Sequence, residues 1–413
     1  MTEVANLDEL AVLYRDLHAH PELAFAEHRT AGIVAERLHG LGYQVTTAVG
    51  GTGVVGVLAN GDGPTVLLRA DMDGLPVLEQ TGLPYASTGR AKDAGGADVP
   101  VMHACGHDMH VTCLLGAAAE LAAARDTWRG TLLLVFQPAE EAGRGAQAMI
   151  DDGLFERFPV PEIVLGQHVM PLPAGVLAIH GGAAMAAGDA LRVVLHGQGG
   201  HGSRPETTVD PILMAAATVL RLQGVVSHEI AASETAVLTV GALRAGTAPN
   251  IIPDQAELLL SLRSFDDKVH GKARAAIDRI IRAEAAASGA PKEPEIITSV
   301  SFPVLVNDPA ATAKLTELFN AGGMLTLDPG PVTGSEDVGL LATAAGVPCA
   351  YWFLGGSDPA LFTGVTTVAE AKLIVDGLPS NHSPLFAPVI DPTIRTGVTA
   401  LITAARAWLG TPD

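Results

Sequence analysis

Apolar residues recur at helical spacing over residues 7–17 and 30–41, with charged residues interleaved, and this periodicity predicts two amphipathic helices. Four short apolar runs follow, at 53–58, 65–68, 131–136 and 162–165, each of strand length. Runs that are apolar throughout, rather than alternating, predict strands buried on both faces. With helix-compatible sequence between them they point to an α/β architecture, a sheet covered by helices. The pattern changes between about 188 and 303. It predicts a strand at 190–195, a helix at 211–223, strands at 236–243 and 255–265, a long amphipathic helix at 266–286 and a strand at 295–302. The order βαββαβ is that of a ferredoxin-like α+β unit. Residues 188–303 are therefore expected to form a small domain inserted into a larger one built from 1–187 and 304–413. Residues 392–409 are expected to close the chain with a helix.

Chemistry-bearing residues lie just past the apolar runs: Asp71 after the second, Glu140 and Glu141 after the third, His168 after the fourth. In open α/β sheets ligands bind outside the carboxyl ends of the strands, so these separate regions are expected to converge on one crevice.

Bulk composition narrows the choice of partner. A chain of 413 residues exceeds what one core usually supports, in keeping with two domains. With 48% hydrophobic and 17% charged residues it is globular in composition. A formal net charge of −20 argues against nucleic acid or an anionic membrane, because phosphate binding needs a basic face. No apolar run reaches the roughly 18 to 20 residues of a membrane span, and residues 1–6 lack the basic and apolar segments of a signal peptide. A cytoplasmic location is expected. The 3 cysteines make no disulfide framework; Cys113 and Cys349 sit in apolar surroundings and read as core residues.

Cys105 stands apart from these. In His103-Ala104-Cys105-Gly106-His107-Asp108-Met109-His110, one thiol and three imidazoles fall within eight residues. Cys105 and His107 flank a glycine, which removes a side chain that would crowd an ion, and both can turn toward the same metal. Asp108 is placed to cap a following helix or to accept a hydrogen bond from a ligand histidine. The same segment also reads as a buried free cysteine with helix-face histidines, or as a local zinc site of His103, Cys105, His107 and His110. Glu140-Glu141 lies in a tight loop after Gln137-Pro138, where one carboxylate can bind an ion while its neighbour acts as general base toward a water. With His168 and His382 the donors number one thiolate, three imidazoles and one carboxylate. That is too many for one open zinc site and enough for two ions with a bridging ligand.

At these residues the chain resembles the M20 family of metallopeptidases, specifically its amidohydrolase branch of hippurate, N-acyl-amino-acid and auxin-conjugate hydrolases. The resemblance runs from Arg15-Asp16-Leu17-His18-Ala19-His20-Pro21-Glu22 to the loop at His382. It includes Arg69-Ala70-Asp71-Met72-Asp73, the stretch 102–108, 137–141, Gly199-Gly200-His201, Asn250-Ile251-Ile252-Pro253 and Gly334-Ser335-Glu336-Asp337. It implies a zinc-peptidase-like catalytic domain with a mixed sheet, and an inserted lid that mediates homodimerisation. It implies two divalent ions (Zn, Mn, Co or Ni) held by Cys105, His107, Glu141, His168 and His382, with Glu140 as general base. By the same resemblance His201 reaches the partner subunit's site, and Asn250 and Arg263 hold the substrate carboxylate. The implied reaction is hydrolysis of an N-acyl amino acid or short peptide, with a dipeptidase, deacetylase or carbamoyl-amide hydrolase as alternatives within the superfamily. A non-catalytic metal- or ligand-binding protein on the same scaffold is the alternative from another class.

Two positions depart from the pattern. Arg69 stands where many other branches have the histidine of His-x-Asp, so Asp71 is expected to orient or support the site rather than bind metal. Val338 follows the Glu336-Asp337 pair where an aromatic residue is common, a change expected to reshape the substrate pocket.

Overall fold

A computed structural model describes residues 6–412, and the expectation drawn from residues 1–5 lies outside the described residues. The chain forms two compact units. The first begins with helices α1 (Leu7–Ala19) and α2 (His28–Gly40) and strands β1 (Gln44–Val49), β2 (Gly53–Asn60) and β3 (Thr65–Asp71). It continues through α3 (His107–Ala123), β4 (Gly130–Gln137), β5 (Ile163–Pro173) and β6 (Val176–Ala178). The second unit supplies β7 (Ala187–His196), α4 (Pro211–Gly224), β8 (Ala236–Ala245), β9 (Gln255–Ser264), α5 (Asp267–Ala287) and β10 (Glu295–Phe302). The return adds α6 (Pro309–Ala321), β11 (Leu325–Leu327), β12 (Cys349–Ser357) and α7 (Thr393–Arg406) to the first unit.

In the first unit eight strands form one mixed sheet in the order β1-β2-β4-β3-β5-β12-β6-β11. β4, β3, β5 and β12 run parallel at its centre, while β2 is antiparallel to β4 and β6 to β12. The central strands are buried along almost their whole length, which accounts for their unbroken apolar sequences. Against this sheet lies α3, every residue of which from His107 to Ala118 is buried. It is flanked by α1 and α7, whose inward faces carry Leu10, Leu13, Tyr14 and Leu17, and Ile394, Val398 and Leu401. An enclosed helix explains how the polar start of α3 comes to sit in the interior.

The second unit spans Met185–Leu305 and also takes in Pro331–Glu336, so the chain enters it twice. The short second visit is held by backbone bonds from Ala186 N–H to the carbonyls of Val332 and Gly334. Its sheet is antiparallel in the order β8-β9-β7-β10, the ferredoxin-like arrangement. Asp210 and Asp266 cap α4 and α5 by accepting from N–H groups of the first turns. Val269, Ala273, Ile277 and Ile281 of α5 and Met214 and Leu222 of α4 join Leu258, Leu260 and Leu262 of β9 in a separate core. Among the described residues no helix is long and apolar enough to cross a membrane.

Candidate metal centre

The carboxyl ends of β3, β4 and β5 supply one wall of the site. Asp71 ends β3 and Gln137 ends β4. His168 lies inside β5 rather than after it: pairing with β3 stops at Arg69 opposite Gly166, but β12 continues alongside, with Phe353 opposite His168. His168 therefore stands beyond the last residue that β3 covers while remaining on a rigid strand.

The second wall is the start of α3. Gly106 precedes it with φ 83°, and a Cβ there would stand 2.4 Å from Val169 Cγ1. The glycine thus makes room for β5, not for an ion. Asp108 does not cap the helix. It sits inside the first turn, accepting from Met109 N–H through Oδ1, with Oδ2 2.6 Å from His18 Nδ1. His18 is fully enclosed and also meets Glu79 at 3.1 Å. Burial alone would lower its pKa, but the two carboxylates outweigh burial and raise it to about 10. A buried imidazolium therefore anchors this end of α3 from behind.

His107 donates from Nδ1 to Asp73 Oδ1 at 3.2 Å, which leaves Nε2 buried without a hydrogen-bond partner. Around that nitrogen stand Asp71 Oδ2 at 3.6 Å, Glu141 Oε1 at 3.9 Å and Glu140 Oε2 at 4.0 Å. Cys105 Sγ lies 3.4 Å from His168 Nε2, and His382 Nε2 lies 3.3 Å from Glu141 Oε1. Ligand atoms of Cys105, His107 and His168 all fall within 4.8 Å of one another, and so do those of Cys105, Glu141 and His382. The two groups share the sulfur. Donors bound to one tetrahedral zinc at about 2.3 Å through sulfur and about 2.0 Å through nitrogen are about 3.5 Å apart, so these separations suit shared ions.

Charge argues the same way. Burial, and then the carboxylates of Glu141, Glu140 and Asp71, push the Cys105 thiol well above its ordinary pKa, so a thiolate there needs a cation. Burial would lower the pKa of His107, yet Asp71 and Asp73 overcome it and raise it to about 10. Such a concentration of negative charge beside an unpartnered imidazole nitrogen fits a divalent ion.

The structure separates the alternatives left open by the eight-residue segment. His103 is buried, has no hydrogen bond at either nitrogen and joins none of the ligand groups found among the described residues. His110 does fall with Asp71 and His107, but both its nitrogens are occupied, Nδ1 by Asp71 Oδ1 at 2.5 Å and Nε2 by the N–H of Val169 at 2.8 Å. A local zinc held by His103 and His110 does not fit. Asp71 is engaged between His110 and Arg69, whose Nη1 donates to it at 2.6 Å.

Several residues that sequence reasoning did not assign hold the site in place. Asp73 accepts from the backbone N–H of both Glu140 and Glu141 at 3.1 Å, besides taking His107. One carboxylate thereby aligns a ligand candidate and both glutamates. The preceding Ala139 is in the left-handed region (φ 49°), and its N–H donates to the buried Glu27 at 2.8 Å. Gly145 closes this loop against Pro138 O, where a Cβ would come within 1.6 Å. His382 is also left-handed (φ 72°), donates its N–H to Ala104 O, and follows Asn381, which donates to the carbonyls of Cys105 and Val169. Non-glycine residues in that region cost of the order of 1–2 kcal/mol each, a cost that functional loops commonly carry. The signal for Asp73 was present in its motif, two residues beyond Asp71, and the i, i+3 spacing of His107 and His110 put both on one helix face.

His201, Asn250 and Arg263 belong to the second unit. His201 is exposed, and its Nδ1 accepts from the N–H of Ser203 at 3.1 Å. The loop of Asn250 is bound to the same turn through Gly202 N–H to Asn250 O at 2.8 Å. Arg263, on β9, donates from Nη1 to Thr333 O at 2.7 Å and to Ser335 Oγ at 3.1 Å.

Residues 67–370 match the model of peptidase family M20/M25/M40. The chain is 38% identical over 379 residues to hippurate hydrolase of Campylobacter jejuni, covering 90% of this chain and 94% of that one. It is 37% identical over 353 residues to thermostable carboxypeptidase 1 of Saccharolobus solfataricus, covering 84% and 86%. A crystal structure of a Bacillus subtilis dinuclear metal-binding peptidase of the M20 family superimposes with a TM-score of 0.76 at 27% identity, over 99% of this chain and 100% of that one. Fold, donor cluster and sequence agree, and the chain belongs to the M20/M25/M40 peptidase family.

Proposed function

We propose that this protein is a metal-dependent amidohydrolase that cleaves the amide joining an acyl group to an amino acid. The observation that carries this is two groups of donors sharing the buried Cys105, with a second glutamate, Glu140, beside them, in a chain 38% identical to a hippurate hydrolase. Cys105, His107, Glu141, His168 and His382 would hold two divalent ions, and zinc, manganese, cobalt and nickel all suit the donors. Bound there, the metal would supply Lewis-acid polarisation of the scissile carbonyl and a more acidic water. Glu140 takes the water's proton and returns it to the leaving amine; its backbone, fixed on Asp73, aims it. Asp71 supports His110, and Asp73 supports His107. Arg263 and Asn250 hold the amino acid's carboxylate. With Nη1 committed to Thr333 and Ser335, the guanidinium is fixed in orientation, and its Nε and Nη2 make no hydrogen bond among the described residues. Arginine's planar fork suits a carboxylate.

His201 donates to the oxyanion. Its Nδ1 accepts an N–H, so in the neutral ring the proton resides on Nε2, the nitrogen left to donate in this role. We place it in the partner's site of a homodimer formed through the second unit, where Leu213 and Leu220 on α4 and Val237 and Leu243 on the edge strand β8 are exposed. A cytoplasmic location belongs to the same proposal.

A panel of N-acetyl and N-benzoyl amino acids, their carboxamides and dipeptides, assayed with each metal, tests the reaction. N-acyl amino acids with a free carboxylate are expected to be cleaved fastest. No hydrolysis of any amide by metal-loaded protein overturns the proposal. The carboxypeptidase relative favours short peptides as second substrates, and preference for dipeptides would establish them as the main ones.

The shared site has its own test. Pools of Glu140→Ala and His201→Ala, each nearly inactive, are mixed and allowed to exchange subunits. Half the dimers become mixed, each with one site free of both defects, so roughly a quarter of all sites should recover. Verified exchange without recovery would mean that His201 acts within its own chain.

A further inference from the structure

We propose that His110 is a positioning residue for His168, acting through the backbone of Val169. The hydrogen bonds form one connected series that converges on Asp71. Arg69 Nη1 donates to Asp71 Oδ2 at 2.6 Å, and Asp71 Oδ1 lies 2.5 Å from His110 Nδ1. The N–H of Val169 donates to His110 Nε2 at 2.8 Å, and His168 Nδ1 lies 2.8 Å from the carbonyl oxygen of Val169.

The donors and acceptors determine the direction at each step. A peptide N–H can only donate, so His110 Nε2 is an acceptor and the proton of its neutral ring sits on Nδ1, facing the Asp71 carboxylate. A peptide carbonyl can only accept, so His168 carries its proton on Nδ1. That leaves the lone pair of His168 on Nε2, the atom 3.4 Å from Cys105 Sγ. The Val169 backbone is thus held on both sides of its Cα, by His110 on its N–H and by His168 and Asn381 on its carbonyl oxygen. Its orientation dictates which nitrogen of His168 is available to a metal. All the members are buried except Asn381, which is partly so, so water does not substitute for a missing partner.

This role presupposes the metal site proposed above, and its test separates the two. Zinc affinity is measured by competition with a chromophoric chelator for the wild type, His110→Phe, His110→Gln and His110→Asn, together with the absorption spectrum of each cobalt(II)-loaded protein. Phenylalanine keeps the ring volume and removes both contacts. Glutamine can reach the Val169 N–H, whereas asparagine reaches only the Asp71 side. Loss of an outer-shell partner typically weakens metal binding by roughly 10- to 100-fold. His110→Phe is expected to lose that much for one ion and to show a changed cobalt spectrum. Its turnover should climb back toward the wild-type value as zinc is raised, with KM little altered. His110→Gln should fall nearer the wild type than His110→Asn. A folded His110→Phe that binds zinc as the wild type does would reduce His110 to a space-filling ring. If the phenylalanine variant does not fold, wild-type affinity in His110→Asn has the same consequence. A wild-type protein that binds no zinc would instead break the metal-site proposal.

Discussion

Glu140→Gln is expected to abolish turnover while leaving bound metal nearly unchanged. The amide is close to isosteric and preserves the backbone contact with Asp73, which runs through the N–H of residue 140 and not its side chain. What it loses is the ability to take a proton from the attacking water. Removing a general base typically costs 10²- to 10⁴-fold, and here the same group also returns the proton to the leaving amine, so the loss is expected at roughly the upper end of that range. Glu140 Oε2 lies 4.0 Å from His107 Nε2, close enough to serve a water activated at the donor cluster. A variant with near-normal kcat would remove Glu140 from the chemistry. One that also lost metal would make it a ligand instead.

Cys105→Ala is expected to lose at least one ion and nearly all activity. Cys105 alone belongs to both ligand groups, one with His107 and His168 and the other with Glu141 and His382. Removing a shared donor should weaken both, by more than the roughly 10- to 100-fold typical of an outer-shell partner. The loss acts through affinity, so a large excess of metal should restore a little rate. The fold should tolerate the change, since alanine at 105 leaves the backbone anchors of that loop, Asn381 to Cys105 O and His382 N–H to Ala104 O, in place. Full metal occupancy and normal turnover in this variant would make the cysteine a mere core residue.

What could be read from the sequence was whatever its local pattern determined. The unbroken apolar runs identified the central strands because burial on both faces leaves no polar alternation. The density of Cys105, His107 and Glu140-Glu141 beside strand ends marked the site because those residue types are seldom clustered without a ligand. Partners that depend on tertiary contact were not legible. Asp73 meets the glutamate loop across more than sixty residues, and Asn381 meets Cys105 across more than two hundred. The misplacements have physical causes as well. The run at 162–165 appeared to end at Gly166 because β5 becomes polar there, yet pairing with β12 carries it on to Pro173. Asp108 looked like a cap because aspartate favours that position. The helix starts one residue earlier, at His107, and its carboxylate turns instead to His18.

Bound metal per chain and kcat on an N-benzoyl amino acid, measured on the same preparations of the wild type, Glu140→Gln and Cys105→Ala, test the division of labour most directly. The expected result is two ions per chain in the wild type and in Glu140→Gln, with turnover in the wild type alone, and fewer ions with almost no turnover in Cys105→Ala. A wild type that keeps its full rate after chelation has removed all metal would contradict it.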